Sequence, residues 1–189
     1  MITKVQTHTI ADWEAMPHGD GNRYEIIEGE LFVSCSPGLT HERVLFRLIL
    51  LIGNFLETNP LGEAVANMGV ILSDFSGVIP DMVVFLNEQR DSIIKNDRLK
   101  GSPALVIEIL SPGPTNIRRD RVTKLQLYAK HGVSEYWIID PRNTTLERYV
   151  EQGSSLVLLE TLEGEDTLST KTLPGFSCTV SEIFRPIGK

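Results

Sequence analysis

The chain has 189 residues, 41% hydrophobic and 23% charged, with a formal net charge of −7. That suffices for one domain with a sizeable core, and it is the composition of an ordinary globular protein. The negative balance argues against a protein that coats nucleic acid by charge alone, but not against a nuclease whose metal ions and a local basic patch carry the phosphate contact.

The first stretch, "MITKVQTHTIADWEAM", lacks the apolar core of a signal peptide. "RYEIIEGELFVSC" then reads as a β-hairpin turning at Glu28-Gly29. In "THERVLFRLILLIGNFLET", Thr40 is the expected N-cap of a helix, with Val44, Leu48, Leu51, Ile52 and Phe55 at helical spacing. Leu45, Ile49, Leu50 and Leu56 widen that stripe, so cover on more than one side is expected. Arg47 interrupts its most apolar run, which falls short of the roughly 20 residues that span a bilayer. "EAVANMGVIL" and "VIPDMVVFL" read as strands separated by "SDFSG", and the polar "NEQRDSIIKNDRLKGSP" leads to the strand "ALVIEIL". After "SPGPT" a helix is expected from Ile117 to His131, ended by Gly132. "SEYWIID" is a strand closed by Pro141, and "TTLERYVEQGSSLVLLETL" is a hairpin around "EQGSS". "TVSEIF" opens with Thr179 and Glu182 at capping-box spacing, which suits a short helix.

No repeat or linker divides the chain. One domain over residues 1–189 is expected, with an N-terminal extension at 1–20 and a C-terminal hairpin and short helix at 144–189. The order of elements predicts a mixed α/β domain, a central sheet flanked by helices. Cys35 and Cys178 form neither a metal-ligand spacing nor a disulfide framework, so a reducing, cytoplasmic setting away from membranes is expected.

Two acids interrupt the apolar strands. Asp81 shares a strand face with Ile79, Val83 and Phe85, and Glu108 shares one with Ala104, Val106 and Leu110. Burying a lone carboxylate costs several kcal/mol, so each needs a partner or a role. If the strands are neighbours, the two carboxylates converge, and Mg²⁺ is the usual cation between such groups. The competing reading is an acid at a strand end or in a plain ion pair, with Pro80 marking a strand start beside Asp81. Asp120, Lys124 and Tyr128 follow at four-residue steps on one helix face. They make either a solvated ion pair or a lysine turned towards the acids. Arg118, Arg119 and Arg121 on the same helix read as phosphate contacts or as an ordinary charged surface.

"RYEIIEGEL", "HERV", "IPDMVVF", "LVIEILSP", "RDRVTKLQLYAKHGVSEYWIIDP" and "LPGF", in this order across residues 23 to 184, resemble the PD-(D/E)XK nuclease superfamily. They are most similar to its Uma-type restriction-endonuclease family. The resemblance implies a restriction-endonuclease-like core and metal-dependent endonuclease action on DNA, leaving a 5′-phosphate. It makes Asp81 and Glu108 the acids for Mg²⁺ or Mn²⁺, with the backbone carbonyl of Ile109 as a further ligand. The superfamily's usual lysine, two residues after the second acid, is replaced here by Leu110, and the resemblance makes Lys124 on the next helix its match. Glu25 and His41 also match motif positions, which makes both candidate catalytic residues, with Glu25 able to bind a second metal or a water; their plainer readings are a hairpin acid facing solvent and a first-turn helix histidine. The superfamily often pairs subunits, so a homodimer is expected. The rival readings are a nuclease-fold protein that binds DNA or a protein partner without effective catalysis, and a purely structural dimer joined through the apolar helix.

Overall fold

The computed structural model describes residues 7–17 and 19–188. Residues 1–6 and His18, all in the expected extension and the first six also in the stretch read for a leader, lie outside the described residues. The short helix α1 (Ile10–Glu14) is capped by Thr9, whose backbone N–H and hydroxyl both donate to the Asp12 carboxylate. Glu28 and Gly29 take φ of 52° and 83°, the left-handed pair required by a tight two-residue turn. They join β1 (Asn22–Ile27) to β2 (Glu30–Cys35) in the expected hairpin.

Helix α2 (Leu39–Thr58) is capped by Gly38 rather than Thr40. The Glu42 N–H donates to the Gly38 carbonyl at 3.2 Å, so Thr40 is already inside the first turn. The wide stripe is covered in part: Val44, Leu45, Leu48, Ile52 and Leu56 are buried, whereas Phe46 and Ile49 stay exposed.

Both extended segments that follow are divided. "EAVANMGVIL" becomes β3 (Gly62–Ala66) and β4 (Val70–Ser73), broken at Asn67 with φ of 52°. "VIPDMVVFL" becomes β5 (Ser76–Val78) and β6 (Met82–Leu86), because Pro80 has no N–H for a ladder. In the polar segment, α3 (Arg90–Ile93), β7 (Ile94–Lys95) and β8 (Arg98–Lys100) precede β9 (Leu105–Ile109).

The next helix starts at Pro114, earlier than Ile117, since proline is favoured in a first turn. It runs as α4 (Pro114–Arg118), a π-helical turn (Arg119–Lys124) and α5 (Leu125–Lys130). Then come β10 (Glu135–Asp140), β11 (Thr145–Gln152), β12 (Ser155–Glu163), β13 (Thr167–Ser169) and β14 (Ser177–Thr179). The last helix, α6 (Val180–Phe184), has its expected capping box, with the Thr179 N–H donating to Glu182 Oε2 at 2.8 Å.

The central sheet is mixed, in the order β12-β11-β10-β9-β6-β3, with β9 and β10 parallel and the other pairs antiparallel. A second sheet, β2-β1-β5-β4-β8-β7, packs with α5 over one face of it. Helices α2 and α6, with β13 and β14, cover the other face. Strand β9 is therefore buried on both sides, which explains its unbroken apolar sequence. Leu105, Ile107 and Ile109 join the α2 core, while Val106 and the neighbouring Leu110 join the opposite core. No helix among the described residues is long and apolar enough to cross a membrane.

The two cysteines are free and differently placed: Cys35 is exposed, while Cys178 lies in the α2 core with its thiol pushed by burial up to about 12. A maleimide at pH 8 is expected to label one thiol in the native protein and both in urea, as read by mass spectrometry. Double labelling without denaturant would mean that the α2 core opens readily.

Candidate active site

Asp81 stands where the chain leaves β5 in one sheet and enters β6 in the other. Strands β6 and β9 are antiparallel with Met82 opposite Ile107, so the next step of the register brings Asp81 to Glu108. Asp81 is 2% exposed. Its Oδ1 accepts from Arg23 Nη1 at 3.0 Å, and its Oδ2 accepts from the Ile109 N–H at 2.8 Å with His41 Nε2 at 3.1 Å. Burial pushes this carboxyl upward, but His41, the Ile109 N–H and Arg23 together hold it below the usual carboxylate range. For His41 burial opposes the charge, yet the bond and charge of Asp81 raise its pKa.

Glu108, 3% exposed, lies on the β9 face that meets the second sheet. Its Oε1 accepts from Lys124 Nζ and from the Tyr128 hydroxyl, each at 2.8 Å. The π-helical turn presents Lys124 fully buried between acids: Nζ is also 2.8 Å from Glu25 Oε1 and 3.9 Å from Asp120 Oδ1. Such turns recur at functional sites because they re-aim side chains that a regular helix would spread apart. Glu25, on β1, also accepts the Ile79 N–H at 2.8 Å through Oε1, while its buried Oε2 has no hydrogen-bond partner. Burial disfavours the Lys124 charge, but Glu108, Glu25 and Asp120 outweigh that and raise its pKa.

Burial, with Asp81, Asp120 and Glu25 nearby, drives the Glu108 carboxyl up to about 8 against the pull of Lys124. Its ordinary value is 4.5, so between these limits the folded state holds a proton that the unfolded chain releases. Stability from this group is present below the lower limit and lost as pH rises through the upper one. Glu108→Gln is expected to flatten the decline of stability over that window, measured by urea unfolding from pH 5 to 8.5. Parallel pH profiles for the two proteins would remove Glu108 as its source.

Asp81, Glu108, His41, Ile109 and Lys124 all line one cavity of about 340 Å³, together with Arg23, Arg119, Asp120, Ser111 and Asn116. Glu25 is not on its wall but behind it, against Lys124. Of the helix arginines, Arg119 reaches the cavity, Arg121 turns away to Glu147 at 2.8 Å, and Arg118 is exposed. Leu110 is buried in the apolar core, and Lys124 Nζ donates to Glu108 Oε1.

Arg23 and the cavity-facing Asp120 were not singled out as site residues by the sequence. Arg23 had a signal, since it sits two residues before Glu25 on one strand face. Asp120 had only its four-residue step from Lys124. Hard carboxylate oxygens on adjacent strands, facing one cavity, fit Mg²⁺ or Mn²⁺, which bind one or two carboxylates and keep several waters. Among the described residues no group of three or more His, Cys, Asp or Glu side chains is arranged to hold an ion. Water, substrate and the Ile109 carbonyl would have to complete the shell.

The sequence model of the Uma2 family, described as "Putative restriction endonuclease", matches residues 10–181. No curated protein matches the chain. A putative nuclease belonging to DUF820 from Anabaena variabilis ATCC 29413 is similar in structure, with a TM-score of 0.75 at 19% identity, over 94% of this chain and 97% of that one. That likeness shows the shared fold. The type IIG restriction endonuclease BpuSI aligns with a TM-score of 0.41 and 15% identity, over 76% of this chain and 15% of its own.

Proposed function

The chain belongs to the Uma2 family of putative restriction endonucleases, and from that premise we propose that it hydrolyses DNA phosphodiester bonds with Mg²⁺ or Mn²⁺ at Asp81 and Glu108. The observation that carries this reading is the pairing of β6 with β9, which sets the two buried acids on one cavity with Lys124 2.8 Å from Glu108. A bound divalent cation supplies a Lewis acid that polarises the scissile phosphate and lowers the pKa of an attacking water.

The chain's own residues do the rest. The Ile109 N–H and His41 keep Asp81 ionised and fix its orientation. The ammonium of Lys124 orients water and offsets charge on the pentacovalent phosphorus, the preorganised electrostatic help that dominates such chemistry. Glu25 and Tyr128 position that machinery from behind, through Lys124 and Glu108 respectively. Arg119 and Asn116 on the cavity wall supply donors for phosphate oxygens. The expected homodimer belongs to the same reading and is checked by sedimentation velocity.

The test is nicking of supercoiled plasmid with Mg²⁺ or Mn²⁺, with EDTA, and by Asp81→Asn and Glu108→Gln. Cleavage that needs metal and both acids supports the reading; cleavage indifferent to either acid refutes it. One observation favours the rival, a protein that binds DNA without effective catalysis: both Asp81 oxygens are already engaged by protein donors. Duplex retention with no metal-dependent cleavage would decide for that rival.

A further inference from the structure

We propose that the Arg23 guanidinium competes with the divalent cation for Asp81 Oδ1 and yields that oxygen as the ion binds, an inference that rests on the metal reading above. The two oxygens of Asp81 are not equivalent. Oδ2 is tied to a fixed backbone donor, the Ile109 N–H at 2.8 Å, and to His41. Oδ1 is held at 3.0 Å by Arg23. It is therefore the oxygen that one side-chain movement can free.

Arg23 is also built to leave without being stranded. Its Nη2 already donates to Asn67 Oδ1 at 2.6 Å, and its Nη1 lies 3.4 Å from the Ile79 carbonyl. Its side chain is 22% exposed, against 2% for Asp81, so water can replace the lost bond. Arg23 lines both the carboxylate cavity and a neighbouring one of about 470 Å³, which includes Asn67 and Ile79 in its wall. Lys124 offers the opposite case: it is 1% exposed and held at 2.8 Å by both Glu25 and Glu108. A guanidinium and a divalent cation at one carboxylate oxygen repel each other, so Arg23 competes with the metal for Oδ1 and its charge weakens binding there. Arg23 is in this sense a positioning residue, keeping Asp81 charged and aligned until the ion arrives.

The experiment is calorimetric titration of Mn²⁺ into wild type and Arg23→Gln, with and without a short DNA duplex, alongside thermal melts. Glutamine keeps a polar side chain near Asp81 but removes the competing charge. The expected result is a metal-free melting midpoint below wild type and a Kd for Mn²⁺ at least tenfold tighter. An equal or weaker Kd in the folded variant, while wild type binds, overturns the exchange and leaves the metal site standing. Absence of binding in both proteins, even with duplex, overturns the metal reading and the exchange with it. If Arg23→Gln does not fold, Arg23→Met, which keeps the length of the stem and carries no charge, is judged by the same comparison.

Discussion

Lys124→Met is expected to cost about 3–5 kcal/mol of folding stability at neutral pH and to abolish cleavage, because it leaves buried acids with no cation between them. Glu25 and Glu108 each lie 2.8 Å from Nζ, at 1% and 3% exposure, and Asp120 is 3.9 Å away. Methionine fills the space of the lysine stem, so the loss reports charge rather than a cavity. Without the ammonium, nothing offsets the burial that raises Glu108, and its carboxyl takes up a proton more readily. The penalty should therefore be smaller at pH 5.5 than at pH 8.5, since protonated acids need no counter-ion. Urea unfolding at the two values measures this. Adding Glu25→Gln to the methionine variant should recover part of the loss, because the two sites are in contact. A penalty below about 1 kcal/mol at both pH values would place Lys124 among exposed ion pairs, contrary to its burial.

The second large effect is expected at Asp81. Asp81→Asn should lower metal-dependent nicking by roughly 10²–10³-fold, the scale of losing one preorganised electrostatic group. It should also cost about 1–3 kcal/mol of stability, because the new amide offers one acceptor to a site that now holds three donors. Arg23, His41 and the Ile109 N–H all converge on the two oxygens that the substitution alters. Plasmid nicking and gel retention of a duplex, run on one preparation, separate chemistry from binding. Lost nicking with retained binding places Asp81 in the chemistry; unchanged nicking would sink its proposed role.

What the sequence made legible was local or periodic. The hairpin at Glu28-Gly29 follows from a turn whose conformations neighbouring residues decide. The Thr179–Glu182 box is another three-residue affair. Glu108 stood out because alternation along a buried strand leaves no solvated place for its carboxylate. The motif series carried the family and, through it, the fold. The misplaced boundaries also have local causes that propensity weighs poorly: a glycine cap before Thr40, a proline start before Ile117, and Asn67 taking a left-handed turn inside an apolar run.

The convergence of the site was decided elsewhere. Asp81 meets a β1 arginine 58 residues earlier, and Glu108 meets Tyr128 20 residues later on a helix re-aimed by its π turn. Glu25 looked like a solvent-facing hairpin acid until the second sheet, packed on the first, enclosed it behind Lys124. By itself the sequence determined which residues must be buried and which of them carry charge, since those depend on side-chain chemistry and on period. Only the tertiary structure decided which buried charges face one another, because register and sheet packing arise from the whole core rather than from any residue's neighbours in the chain.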